Sequence, residues 1–585
     1  MHLLAAFIVT TLLAAGIAGL GSLLGGRSDG DRWVRGWTAL WWLVALAAQV
    51  FTPRTGVAVG FAAAAVGLVA AAARARRLTA VAGYGLGMLA GAPLWLAPPY
   101  FYDALVYHIG LPWSWLVNGS FATVPHNLFS HFPLAAQTVF LLPVAAGCPE
   151  AAAGLHWVTF VVALVELVRL AERLGAGRYR WAAPALLVAC WHATWVAGVA
   201  APDHLVVLAV LVMIDALVFP AGSARARTVS LGLGAGLAIG VKCTAVIPVA
   251  AVLTSDCIGS ALVVAGAAGV GLAASSFWWI RNLASTGNPV FPLLWSVLGG
   301  GGWLPRDNDR YLAVVREGIA GFGSVPHGLA HLVVPPAGLG WWAVASLPLV
   351  VFAMSGTDAA ANRRRRLGLA GALALAGWLA TSQTTRYVLP LAAIVAALAA
   401  AGLGLLGRRP ARWAGALLLA TILHGFAGFA SFVLVTLGSG PMWAGKVSRE
   451  EWRHSVTVND PLPAYRRCDA LLPTEARILV IGEGRAWGCP RPHHVSSPYD
   501  RQLVQAYVEE APSAADAVER LRSAGFTHLL INWGEVGRLG GPDFRVLRWE
   551  TPDAGARWRE LLSGFTTPLF REGAIEVRAL LGGQP

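Results

Sequence analysis

Lysine is nearly missing from this chain. Of 44 basic residues only Lys242 and Lys446 are lysines; the others are arginines. Charge of either sign is scarce at 13% of 585 residues, whereas 56% are hydrophobic. That balance excludes a soluble globular protein, which has no use for so much apolar surface. Cysteine is sparse too. The six cysteines form no CxxC pair and no zinc-ligand spacing, which excludes a zinc module. Cys468 and Cys489 lie outside the apolar part and would pair only in an oxidising compartment. No P-loop or dinucleotide-binding glycine fingerprint occurs, and the "GEG" at 482–484 is too short for one. The formal charge of +13 does not point to nucleic acid, because most arginines sit in short loops between apolar runs. There they set membrane orientation rather than grip a polyanion.

What the chain does hold is a long series of apolar runs, the pattern of an integral membrane protein. Its 25 tryptophans suit the many membrane interfaces such a chain has. Residues 1–437 hold 13 of the 31 acidic residues and residues 438–585 the other 18, so a membrane part is followed by a soluble domain. The first run has no basic flank and many similar runs follow, so it reads as a retained span. Spans are predicted near 3–24, 34–50, 56–73, 78–98, 150–170, 182–200, 204–219, 229–241, 244–254, 257–280, 339–354, 367–381, 387–407 and 412–437. In the soluble part, "RILVIGEG" (477–484), a helical stretch near 513–524 and "THLLIN" (527–532) read as strand, helix and strand. The expected fold is an all-α polytopic membrane protein of about 14 spans with a small C-terminal α/β domain.

Six basic clusters test that count: Arg27/Arg32/Arg35, "RARR" (74–77), "ERLGAGRYR" (172–180), "ARAR" (224–227), "RRRR" (363–366) and "RRPAR" (408–412). With an external N-terminus all six fall on the cytoplasmic side, as the positive-inside rule requires. This holds if "PLAAQTVFLLPVAAG" (133–147), too short to cross, is interfacial or re-entrant. It also needs 229–241 and 244–254 to form a tight helical pair turning near Lys242. The outer face then receives loops 99–149 and 281–338, the turns at 201–204, Lys242 and 382–386, and residues 438–585.

That face gathers Asp103, His108, His126, Asn127, His131, Asp203, His204, Lys242, Arg281, Asn282 and Arg386. Asp103 stands in "PPYFYDALVYHIGLP" (98–112), where Tyr100, Phe101, Tyr102 and Tyr107 should hold it at the membrane surface. An ordinary loop acid is the bland reading; ionisable groups beside the hydrocarbon are costly and usually functional. Asp203 in "AAPDHLVV" opens a span, as a helix cap, a site acid or both. Lys242 in "AIGVKCTAV" either snorkels or has an anionic partner. Arg281 and Arg386 sit at outer span ends, where the positive-inside rule does not want them; interface anchoring and function both fit. The histidine spacing matches no standard metal site. Glu166 and Asp215, at inner span ends, should have structural partners.

A carboxylate and several cations at an amphiphilic boundary suit a lipid-phosphate sugar. When its glycosidic bond breaks, the departing phosphate gains charge, which fixed cations stabilise. The acceptor hydroxyl needs a base, and Asp103 is the candidate. A one-step displacement of this kind inverts the anomeric centre. Neither nucleotide nor other cofactor is expected, with a divalent metal as the one open addition.

The stretch "PPYFYDALVYHIGLPWSWLVNGSFATVPHNLFSHFPLAAQ" resembles the first outer loop of bacterial GT-C-fold glycosyltransferases, similar to protein O-mannosyltransferases and lipid A aminoarabinose transferases. The resemblance implies a catalytic acid in that loop and a second acid opening a later one, positions matched by Asp103 and Asp203. "GLAIGVKCTAV" is similar to a glycine-rich segment ending in Lys in such proteins, and "WWIRNLASTGNPVFP" and "QTTRYVLP" look like later outer-face motifs. It covers roughly residues 80–410 and is specific only as a combination. Two departures stand out: four apolar segments precede the loop, and the acid is a lone Asp. Residues 1–77 then read as added helices, 78–437 as the catalytic core and 438–585 as the extracytoplasmic domain. Asp103 and Asp203 are the expected catalytic residues. Tyr107, His108, His131, His204, Lys242, Arg281, Asn282, Arg386 and Tyr387 are the expected substrate contacts. The expected activity is transfer of a sugar from a polyprenyl-phosphate donor to an unknown glycan, lipid or protein acceptor at the outer face of a bacterial cytoplasmic membrane. A flippase of lipid-linked sugar, a surface-polysaccharide polymerase or ligase, and a non-catalytic scaffold are the alternatives. Transporters place charge near the midplane and often carry internal repeats, and no repeat is evident here.

Overall fold

The computed structural model describes residues 1–74, 78–219, 223–255, 261–320, 325–333, 339–381, 383–542 and 544–582. Each predicted span is helical over most of its described residues. Among the described residues six helices are long and apolar enough to cross a membrane: His2–Leu23, Pro53–Ala73, Glu150–Arg173, Ala261–Thr286, Thr385–Leu405 and Arg408–Thr436. The other segments are shorter, carry more charge, as Asp29–Val50 does in its first turns, or are broken. The segment at 78–98 divides into Leu78–Ala90 and Ala92–Trp95 at Gly91, where a β-carbon would lie 1.9 Å from the Trp157 ring. The segment at 182–200 divides into Ala182–Ala189 and Trp191–Ala197 at Cys190, whose ψ of 96° is extended. Ala135–Ala145, the segment expected at the interface, is buried over nearly all its length and packs against Asp29–Val50 and Gly110–Asn118.

The first three helices are built into the bundle. Trp33 donates its indole N–H to the Thr159 hydroxyl (3.1 Å) and Trp42 donates to the Ala274 carbonyl (2.8 Å). His2–Leu23 and Pro53–Arg74 run side by side in step, Gly16 against Ala64 and Gly19 against Gly67. A β-carbon on Gly19 would lie 1.8 Å from the Gly67 carbonyl oxygen. Small residues allow this approach, which replaces the hydrophobic driving force absent in lipid. Gly19→Val should therefore force the helices apart and destabilise the protein by about 1–3 kcal/mol, read as a lower unfolding temperature in detergent.

The basic clusters meet at one end of the bundle. Arg364 donates to the Leu174 carbonyl (3.0 Å), Arg363 lies 5.2 Å over the Phe219 ring, and Arg35 donates to the Ser230 hydroxyl (2.9 Å). Gly404, just before the 408–412 cluster, packs on the Gly175 backbone. Helix Pro53–Arg74 ends on that side too; residues 75–77 of its cluster lie outside the described residues. Asp203 opens the helix Asp203–Val218, whose far end carries Asp215. Sixteen residues rise about 24 Å, so Asp203 and its neighbours stand at the opposite end from the arginines.

Beyond the bundle lies a five-stranded sheet of β1 (Ile478–Ile481), β2 (His493–Val495), β3 (His528–Asn532), β4 (Thr566–Glu572) and β5 (Ile575–Leu580), in the order β2-β1-β3-β5-β4. β1 pairs in parallel with β2 and β3; β5 runs antiparallel to β3 and β4. β1 and β3 are buried throughout, as expected of central strands covered on both faces. Ala514–Ser523 is the expected helix between strands. Cys468 and Cys489 are buried free thiols. The sheet sits on residues 99–149: Trp113 donates to the Cys489 carbonyl (2.8 Å), Ser114 bonds His493 (2.8 Å), and Asn127 donates to the Val495 carbonyl (2.9 Å).

Candidate active site

Pro98 and Pro99 end the preceding helical run, since neither offers a backbone N–H. The chain then winds Ala104–His108 as a single π-turn, a form frequent at functional sites. This places Asp103 where Arg386, from the segment Thr385–Val388, reaches it: Nη2 to Oδ2 is 2.6 Å. The Tyr107 hydroxyl donates to the same oxygen at 3.4 Å. Among the described residues Oδ1 has no hydrogen-bond partner, and the side chain is 24% exposed. Burial pushes the Asp103 pKa up, but the surrounding charges, Arg386 first, together outweigh it and hold the carboxyl below its usual range.

A second ion pair stands alongside. Lys242 ends the helix Ala224–Val241 in an extended conformation (φ −158°, ψ 125°), and this turn carries its ammonium to Asp203 at 2.6 Å. The Asp203 side chain is 2% exposed, and among the described residues its buried Oδ2 has no partner. Pro202, not Asp203, takes the N-cap position, and the Asp203 carboxylate makes no cap bond because Lys242 holds it. Tyr387 joins the two pairs: its ring centre lies 4.2 Å from the Lys242 nitrogen and 5.6 Å from the Arg386 guanidinium. His108 borders both. Its Nδ1 accepts from the Gln137 amide at 2.7 Å, and burial pushes its pKa down to about 3, so the ring is neutral at pH 7. Two carboxylates, two cations, two tyrosines and a histidine thus converge at one end of the bundle.

The remaining expected contacts lie elsewhere. His204 turns away from the ion pairs; its Nδ1 lies 3.1 Å from Nε2 of His156, whose Nδ1 meets the Val199 carbonyl. Arg281 has no carboxylate partner among the described residues: it donates to the Phe121 carbonyl (2.7 Å) and lies 5.0 Å over the Phe121 ring. Asn282 donates to the His131 carbonyl (2.7 Å), and the His131 ring meets Phe291 edge-on at 5.0 Å. Arg281, Asn282 and His131 therefore form a neighbouring cluster that ties the two outer segments together. His126 and Asn127 anchor the C-terminal sheet through Ser497 and Val495. At the arginine-rich end, Glu166 accepts from Gly30 and Arg169, and Asp215 pairs with Arg173. These groups border a cavity of about 430 Å³ that is remote from Asp103. Sequence reasoning missed His156, Tyr311, Tyr499 and Asp500. No group of three metal-ligating side chains occurs among the described residues.

No protein-family model matches the chain, and no curated protein sequence matches it. Solved structures do. The fold is similar to ArnT from Cupriavidus metallidurans bound to undecaprenyl phosphate, at 14% identity and TM-score 0.51 over 86% of this chain and 99% of that one. The apo state of the same ArnT gives TM-score 0.50, again at 14% identity, over 86% and 98%. A weaker likeness, TM-score 0.47 at 11% identity over 84% and 72%, is to the Archaeoglobus fulgidus oligosaccharyltransferase. The chain has the GT-C membrane fold of ArnT.

Proposed function

We propose that this chain is an inverting glycosyltransferase that moves a sugar from a polyprenyl-phosphate donor to an acceptor at the outer face of a bacterial cytoplasmic membrane, with residues 438–585 on the periplasmic or extracellular side. The observation that carries the reading is the pair of carboxylate–cation contacts, Asp103–Arg386 and Asp203–Lys242, at the end of the bundle opposite the arginine clusters. A donor phosphate takes the place of Asp103 on Arg386 and is met by Lys242 as well. Asp103, freed from Arg386, becomes a stronger base. It takes the acceptor hydroxyl proton as that oxygen bonds to the anomeric carbon. The bond from that carbon to the phosphate oxygen breaks, and its electron pair leaves with the lipid phosphate as a second negative charge. Lys242 and Arg386 stabilise this developing charge more than the ground state, which is where catalysis lies. Asp203 holds Lys242 in place. That ArnT was crystallised with undecaprenyl phosphate supports a lipid carrier of this kind.

The test is a reconstituted one. Vesicles holding the purified protein and a sugar-labelled undecaprenyl-phosphate hexose should release undecaprenyl phosphate and leave the label in a new product. Label that crosses the bilayer still attached to its lipid would replace this reading by transport.

A further inference from the structure

The water side of Asp103 is walled by the C-terminal domain. Asp500 fastens that wall and is 2% exposed. Its Oδ2 accepts from the Leu128 backbone N–H (2.7 Å) and the Ser497 hydroxyl (2.5 Å); its Oδ1 accepts from the Trp303 indole (2.6 Å). One carboxylate therefore joins both outer segments to the soluble domain. Arg310 adds a bond to the Tyr499 carbonyl at 2.6 Å.

The turn so fixed presents Tyr499. Its ring meets Phe129 (5.8 Å), Tyr311 (6.2 Å) and Phe544 (5.4 Å) edge-on. Phe129 in turn stacks on Tyr107 at 4.6 Å, and Tyr107 reaches Asp103. The Tyr499 and Tyr311 hydroxyls have no hydrogen-bond partner among the described residues. Burial, then the field of Asp103, pushes the Tyr499 hydroxyl up to about 12, so it remains a proton donor.

We propose that Tyr499, supplied by the C-terminal domain, determines specificity in the acceptor subsite and that the acceptor is a carbohydrate. The inference rests on the transferase reading above. The attacking hydroxyl must lie beside Asp103, and the leaving phosphate lies by Lys242 and Arg386. The acceptor therefore enters from the remaining, water side, where Tyr499 and Tyr311 stand. A phenol offers an apolar ring and a polar tip, which match the C–H face and hydroxyl edge of a sugar. A peptide that bound by adding a strand would need a free sheet edge. The near edge strand, β2, is already taken: Asn118 bonds both the N–H and the carbonyl of His493, and Asn127 takes the carbonyl of Val495.

The test uses the full chain in vesicles, an undecaprenyl-phosphate hexose as donor and synthetic octyl glycosides as acceptor probes. Tyr499→Phe removes one hydroxyl and keeps the ring. It should raise the KM for the glycoside by about five- to tenfold, the size of one hydrogen bond, with less than twofold change in kcat and in donor KM. An unchanged glycoside KM, or an equal loss in every parameter, overturns the assignment of Tyr499. Short peptides accepted in preference to glycosides overturn the acceptor class. A wild-type protein that consumes no donor sinks the transferase reading itself, and this inference with it.

Discussion

Asp103→Asn should lose about a thousandfold in donor turnover while binding undecaprenyl phosphate at least as tightly as the wild type. The amide oxygen still accepts from Arg386, so the local structure survives, but the base is gone. The negative charge that competes with phosphate for Arg386 is gone as well, which is why affinity holds or improves. Quenching of tryptophan fluorescence by added undecaprenyl phosphate reads binding, and release of labelled sugar reads turnover. Full turnover by the variant would remove Asp103 from the chemistry. The same pair sets the pH profile. Arg386 depresses the Asp103 pKa, so the active carboxylate form is present above the folded pKa and is lost only as pH falls through it. The acid limb of kcat/KM for the donor should therefore lie below the ordinary carboxylate range. Arg386→Gln removes the depressing charge, leaves burial to push the pKa up, and should move that limb toward neutral pH.

Lys242→Met should unfold the site as well as disarm it. Its loss leaves the Asp203 carboxylate buried, with neither oxygen paired among the described residues. Breaking a buried ion pair from one side costs about 3–5 kcal/mol. The double variant Asp203→Asn/Lys242→Met removes the stranded charge and should recover most of the unfolding temperature. It should recover no turnover, because the cation that meets the leaving phosphate stays absent. Recovery of both together would mean that the pair serves only packing. An unchanged unfolding temperature in the single variant would show that Lys242 and Asp203 do not pair.

The membrane part of the fold was legible in the sequence because apolar runs and arginine loops are one-dimensional signals. Runs mark helices wherever tertiary packing is not needed to define them, and the arginine clusters do meet at one end. Lys242 was legible as a cation in want of an anion, since an ammonium in an apolar run has few alternatives. Its partner and the extended break that aims it were not, because both depend on how helices 224–241 and 203–218 pack. His204 and Arg281 mark the limit of grouping residues by face alone: one points into the bundle toward His156, the other against Phe121. Tyr499 and Asp500 left no trace at all. "SSPYD" in a domain of ordinary composition reads as a plain turn. Its importance lies in the hydrogen bonds it makes to Leu128 and Trp303, hundreds of residues earlier in the chain.

The order of the strands has a consequence for biosynthesis. β3 is completed on one side by β1 and on the other by β5, so the sheet that carries the Tyr499 turn lacks its inner antiparallel strand until the ribosome has passed residue 580. At ordinary elongation rates this comes tens of seconds after Asp103 has been made. Throughout that interval the helices wait in the bilayer as an open vessel. Until then the end of the bundle that carries Asp103 lacks the turn that presents Tyr499.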